Sequence, residues 1–187
     1  MNDSVWTLPN MVSLCRLACV PILWFFAFQG KPVWVGVGIF ILLLTDIMDG
    51  ILARGMKQVT ELGAKLDSFA DNFLVPSAII WLLMLCPEIL KGNNLVIFIV
   101  AAGTNLTMQL VAYLKFRRYP PNLHLYSAKV SAGFGTLFIL VALLSGFPRS
   151  LFYVAAGLFT CSNIEGILLV LTRSEVHENI GSIFRQA

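Results

Sequence analysis

Long apolar runs separated by short polar breaks dominate this chain from residue 9 to residue 172. Six runs, at 9–29, 33–54, 66–86, 94–116, 127–147 and 150–172, are each long enough to cross roughly 30 Å of hydrocarbon at about 1.5 Å per helical residue. The breaks have local causes: Gly30-Lys31-Pro32, the polar stretch from Arg54 to Lys65, Pro87 to Asn94, Arg117 to Asn122, and Gly146-Phe147-Pro148. Within such runs only a helix satisfies every backbone group internally, which excludes strands. The pattern predicts an all-α integral membrane protein with six transmembrane helices, forming one domain over residues 1–187 without an internal repeat. The amphipathic start, MNDSVWTLPN, is expected to lie at the membrane interface with Trp6 as its anchor. The first run is too long for a secretory h-region and reads as a retained span.

Composition supports a lipid surrounding. Charged residues are 12% and apolar ones 58%, with a mean hydropathy of +0.82, whereas a soluble domain carries roughly 25% charged residues. The net charge of +3 conceals an uneven distribution. With both termini on one side, that side holds Arg16, Arg54, Lys57, Lys65, Lys115, Arg117, Arg118, Lys129, Arg173 and Arg185, against Lys31, Lys91 and Arg149 on the other. The asymmetry puts both termini in the cytoplasm. It favours contact with anionic headgroups or phosphates, and nothing in it suggests nucleic acid. Cys15, Cys19, Cys86 and Cys161 form no CxxC pair and read as apolar packing residues.

Against this background the segment TDIMDGILARGMKQVTELGAKLDSFADNF, residues 45–73, stands out. Asp46 and Asp49 are spaced i, i+3 near the cytoplasmic end of the second run, and Gly63, Asp67 and Asp71 repeat at i, i+4, i+8 into the third. Each set shares a helix face. The short connection makes the two helices antiparallel neighbours whose acidic faces meet at one depth. Four facing carboxylates repel unless a cation lies between them, and ionisable groups at membrane depth are usually functional. Hard divalent ions, Mg²⁺ or Mn²⁺, take carboxylate oxygens and keep substrate phosphate as a further ligand. Two such ions clamp a diphosphate. Gly50, Ala53 and Gly63 leave room for a nucleotide, and Arg54 offers a fork to its phosphate. The plainer alternative is a solvated helix-end cluster paired with Arg54, Lys57 and Lys65; the matched faces and small residues favour the metal reading.

The segment spells D-x2-D-G-x2-A-R-x8-G-x3-D-x3-D, filled by Asp46, Asp49, Gly50, Ala53, Arg54, Gly63, Asp67 and Asp71. This resembles the signature of the CDP-alcohol phosphatidyltransferase family, class I. The six-span layout and LPNMVSLCRL at residues 8–17 are also similar to that family. The resemblance implies transfer of a phosphatidyl group from CDP-diacylglycerol to a hydroxyl acceptor, with release of CMP, in phospholipid synthesis. It further implies that Asp46, Asp49, Asp67 and Asp71 hold two Mg²⁺ or Mn²⁺ ions, and that Asp71 takes the acceptor's proton. Asp46, Gly50, Ala53, Arg54 and Gly63 would border the CDP moiety. The expected setting is a multi-pass protein of the plasma (inner) membrane, its site facing the cytoplasm among membrane lipids; homodimers are common among resembling proteins.

The acceptor is read from YLKFRRYPPNLHLYSAK, which gathers Lys115, Arg117, Arg118, His124 and Lys129 at the cytoplasmic ends of spans four and five. These suit a phosphate-bearing acceptor such as glycerol 3-phosphate, with serine, inositol phosphate or phosphatidylglycerol as alternatives; a loop touching anionic lipid is the competing explanation. Ser68 and Asn72 depart from the D-P-x-A-D-K pattern usual in phosphatidylglycerophosphate synthases, and LDSFAD looks more like the LDSLAD of phosphatidylserine synthases. Gln109, Asn163 and Glu165 are polar positions within spans, fitted either to helix packing or to a polar cavity. Two readings of other classes compete: a divalent-cation transporter and a non-catalytic membrane scaffold. The first needs acids continuing toward the far side, where Glu88 stands alone. The second makes no use of a complete motif.

Overall fold

The computed structural model describes residues 8–56, 61–116 and 125–172, and through most of the aspartate-rich segment it describes the backbone. The expected interfacial anchor Trp6 lies outside these residues. Six α-helices are formed among them: α1 (Leu8–Phe28), α2 (Pro32–Met56), α3 (Glu61–Leu85), α4 (Gly92–Phe116), α5 (Tyr126–Ser145) and α6 (Arg149–Thr172), with a 3₁₀ turn at Pro87–Leu90. Their bounds follow the apolar runs except at α3, which starts five residues before the run at 66 because Glu61 and Lys65 favour helix despite their polarity. The stop after α1 is built from sequence. Gly30 adopts φ 66°, its N–H bonds the Ala27 carbonyl at 3.0 Å, and the Lys31 N–H reaches back to Phe26 at 3.1 Å. This is a Schellman termination, which wants glycine at that position. Pro32 then opens α2, where its missing N–H costs nothing.

Among the described residues three helices, α4, α5 and α6, are long and apolar enough to cross a membrane. Shorter apolar stretches occupy Leu17–Phe28, Pro32–Thr45 and Phe73–Leu85. Large side chains such as Phe25, Phe28, Trp34, Val96, Leu106 and Leu110 point outward, while Ser77, Asn94, Ser131, Ser162 and Asn163 are buried. Apolar groups outside and small or polar groups at the helix contacts are what lipid selects.

The helices group into two units, one made of residues up to Pro87 with 139–146, the other of 88–138 with the chain from Phe147 onward. In unit 1, α1 packs against both α2 and α3. Phe26 stacks on Trp34 at 5.7 Å, and Leu23 lies on Gly38. Sequence numbers rise on one helix as they fall on the other, so α1 and α2 are antiparallel. Buried positions recur at helical spacing: Val20, Leu23 and Ala27; Val35, Ile39 and Leu42; Ala78, Trp81 and Leu82. Trp24 sits edge-on to Trp81 at 5.7 Å and donates its indole N–H to Ser77 Oγ at 3.2 Å. The last turns of α5 join this unit through Leu143 and Leu144 against Gly36, and through the Cys86 thiol, which reaches the Ala142 carbonyl at 3.6 Å. Cys86 thus packs as expected, whereas Cys15 and Cys161 lie exposed.

In unit 2, α4 packs along α6. Tyr153 meets Asn94, Asn105 meets Asn163, and Lys115 meets Val170. Both series rise together, so α4 and α6 run parallel. The first part of α5 runs against them, with Ser127 beside Glu165 and Phe138 beside Phe152.

Candidate functional site

The eight motif positions fall on helical backbone in unit 1. Asp46, Asp49, Gly50, Ala53 and Arg54 occupy the last turns of α2, and Gly63, Asp67 and Asp71 the first turns of α3, with only residues 57–60 between the two helices. An i, i+3 pair is separated by about 60° and about 4.5 Å of rise, and an i, i+4 pair by about 40° and about 6 Å. Each pair of aspartate positions therefore falls on one side of its helix. The donor set consists of carboxylates alone, the ligands that Mg²⁺ and Mn²⁺ prefer over softer metals. Among the described residues outside the motif, no three His, Cys, Asp or Glu gather as a metal site. The residues present fit a hard divalent ion.

The polar residues of unit 2 gather by themselves where α4 and α6 end and α5 begins. The Ser127 hydroxyl donates to Glu165 Oε2 at 2.6 Å, with Ser162 Oγ 3.3 Å away. Glu165 is half-buried and Ser162 is buried. A carboxylate at this depth needs such partners, because lipid supplies none. Lys115 donates to the carbonyls of Val170 and Leu171 at 2.6 and 3.1 Å, capping the last turn of α6. A cation there satisfies orphan carbonyls and meets the negative end of the helix dipole. Lys129 is exposed in the first turn of α5, its ammonium 5.9 Å from the centre of the Tyr126 ring. Of the residues expected to meet an acceptor, Lys115 is thus engaged with α6, Lys129 is open to the surroundings, and Arg117, Arg118 and His124 lie outside the described residues.

Gln109 and Asn163 belong to one hydrogen-bonded chain joined by Asn105, a residue that the apolar pattern did not single out. Gln109 Nε2 donates to Asn105 Oδ1 at 2.7 Å, Asn105 Nδ2 to Asn163 Oδ1 at 3.1 Å, and Asn163 Nδ2 to the Phe159 carbonyl at 2.9 Å. The signal was present in the i, i+4 spacing of Asn105 and Gln109. Helix packing, rather than a polar cavity, is the use these amides have. Asn163→Ala is expected to weaken the α4–α6 contact by about 1 kcal/mol, read as a lower midpoint in mixed-micelle unfolding. An unchanged midpoint would leave the amide chain without structural weight.

A family model described as CDP-alcohol phosphatidyltransferase matches residues 6–172. The chain is 30% identical to a CDP-diacylglycerol–glycerol-3-phosphate 3-phosphatidyltransferase of Aquifex aeolicus, over 73% of each protein. It is 34% identical to a cardiolipin synthase (CMP-forming) of Streptomyces coelicolor, over 64% of this chain and 57% of that one. It is also 35% identical to the human cardiolipin synthase (CMP-forming), over 40% of this chain and 25% of that one. The matched region thus spans a quarter to about three quarters of these relatives' own lengths.

Proposed function

Because this chain belongs to the CDP-alcohol phosphatidyltransferase family, we propose that it transfers a phosphatidyl group from CDP-diacylglycerol to a hydroxyl acceptor and releases CMP. The observation that carries this reading is the unbroken eight-position motif on the last turns of the chain's second helix and the first turns of its third. Six spans, with both termini and the motif at the cytoplasmic face of the inner membrane, agree with the ten-to-three distribution of Lys and Arg.

The proposed chemistry is a displacement at phosphorus. The acceptor oxygen attacks the phosphorus that carries diacylglycerol, its proton passes to the Asp71 carboxylate, and the bond to the oxygen of CMP breaks. Asp46, Asp49, Asp67 and Asp71 would hold Mg²⁺ or Mn²⁺, which supplies charge neutralisation on the diphosphate and on the departing phosphate. Arg54 binds a phosphate oxygen with a planar fork. Gly50, Ala53 and Gly63 admit the nucleotide by their lack of bulk, and Asp46 borders it. Glycerol 3-phosphate is the preferred acceptor, supported by the Aquifex relative and by the phosphate-matching cations Arg117, Arg118 and Lys129. Phosphatidylglycerol is the second reading, favoured by the cardiolipin synthases among the relatives.

The test is CMP release by the purified protein in detergent with CDP-diacylglycerol and Mg²⁺ or Mn²⁺. Glycerol 3-phosphate, phosphatidylglycerol, serine, inositol and inositol 1-phosphate are added singly, with Asp67→Asn as the blank. Release with glycerol 3-phosphate alone, abolished by a chelator, is expected. Release without added metal after exhaustive chelation would remove the ion from the mechanism. Lys129→Ala is expected to raise the acceptor KM several-fold with kcat little changed, because it removes a binding charge from outside the reacting atoms. An unchanged KM would return Lys129 to contact with lipid headgroups.

A further inference from the structure

The end of unit 2 remote from Lys115 and Lys129 holds a pocket of about 330 Å³, lined by Glu88, Lys91, Asn93, Asn94, Arg149 and Tyr153 among others. It lies where α4 and α6 begin, at Gly92 and Arg149. Since these helices run parallel, two sets of first-turn N–H groups and two positive dipole ends fall at the same end of the unit. Lys91 and Arg149, both exposed, add an ammonium and a planar guanidinium. Among the described residues neither cation has a carboxylate partner.

The pocket's frame is built in. Asn94 is only 7% exposed; its Nδ2 donates to the Glu88 carbonyl at 3.0 Å, and its Oδ1 accepts from the Tyr153 hydroxyl at 3.0 Å. One buried amide therefore ties the 3₁₀ turn to α6 and fixes the spacing between the segments that bear Lys91 and Arg149. Ile89, fully buried, anchors the same turn from below. The charge distribution sharpens the point. In the six-span reading only Lys31, Lys91 and Arg149 lie on the far side, and two of those three line this one pocket.

We propose that this pocket binds a phosphate group, and that its natural source is the headgroup of a glycerophospholipid in the leaflet opposite the aspartate motif. A tetrahedral oxyanion takes donors from several directions, and a fork, an ammonium and helix-end amides provide them. The pocket is open to the surroundings, as a headgroup entering from the leaflet requires. Val96 and Val154, one turn or less from the rim, are exposed apolar residues along which acyl chains can lie. Glu88, also in the lining, is placed to accept a hydrogen bond from a headgroup hydroxyl or ammonium. The pocket rests on the six-span reading only for its leaflet and does not depend on the transferase chemistry.

Native mass spectrometry of the delipidated full chain, titrated with phosphatidylglycerol and separately with uncharged diacylglycerol, tests the proposal. The Asp67→Asn background, in chelator, suppresses binding at the motif. One phosphatidylglycerol is expected to bind where diacylglycerol does not, and the Lys91→Ala/Arg149→Ala pair is expected to bind it about tenfold or more weakly, about 1.4 kcal/mol. The charge-keeping pair Lys91→Arg/Arg149→Lys should retain most of the binding, which separates charge at these positions from any general effect on the fold. Equal affinity in the alanine pair would overturn the site. So would an equal loss in Lys31→Ala, which would reduce the effect to bulk interfacial charge. Displacement of the lipid by millimolar inorganic phosphate would uphold the phosphate site and assign it to the soluble ion; resistance would assign it to the lipid.

Discussion

Asp71→Asn is expected to lower phosphatidyl transfer by about 10²–10⁴-fold, the range for removal of a positioned general base, while CDP-diacylglycerol still binds. The substitution keeps the size and one oxygen of the side chain and removes the proton acceptor. Its effect should therefore fall on kcat, with the nucleotide held by Asp46, Arg54 and the remaining carboxylates. CMP release under saturating acceptor, together with equilibrium binding of the donor, separates the two. Full transfer in the variant would exclude Asp71 as the base. Loss of donor binding along with transfer would make Asp71 chiefly a metal ligand, since removing one of four carboxylates weakens the ion on which the diphosphate depends.

The largest structural effect is expected at Trp81. Its side chain is completely buried in unit 1, it packs edge-on against Trp24, and among the described residues its indole N–H has no hydrogen-bond partner. In lipid the gain from burial is packing rather than escape from water, so the transfer part of a soluble-protein cavity cost is absent and the lost dispersion contacts remain. Trp81→Ala should still destabilise the protein by about 2 kcal/mol or more. Trp81→Phe should cost far less: it keeps a ring against Trp24 and deletes a buried donor that is already unsatisfied. Mixed-micelle unfolding of both variants gives the comparison. Equal losses would mean that the indole N–H contributes something its surroundings do not reveal.

The contrast between what the chain's pattern announced and what it hid has a physical basis. Helix positions were legible because each apolar run is ended by residues with a local conformational reason, as Gly30 and Pro32 illustrate. The motif was legible because four carboxylates in an apolar chain have few uses. Less legible was the parallel pairing of α4 with α6, which depends on contacts between residues more than fifty positions apart, such as Lys115 with Val170. The place of Lys115 was hidden for the same reason. Beside Arg117 and Arg118 it looked like a ligand for an acceptor, yet its ammonium is occupied by the end of another helix. Asn105 escaped notice because an isolated amide within a span carries no pattern until its partner is known.

The division of the helices also has a consequence for how the protein is made. Contacts between α1 and α2 join residues close in sequence, such as Phe26 and Trp34, so this hairpin can close soon after both helices reach the bilayer. Unit 1 is complete in sequence once Gly146 has been synthesised. The parallel partner of α4 arrives only with α6, which ends at Thr172. At about 5–20 residues per second, α4 must spend on the order of seconds in the membrane before the α6 partners of Asn94, Asn105 and Lys115 are made. Ribosome pausing or a chaperone of membrane insertion would therefore act on the second half of this chain, and a messenger truncated within α6 would yield a protein whose first half is assembled and whose second half is exposed to quality control.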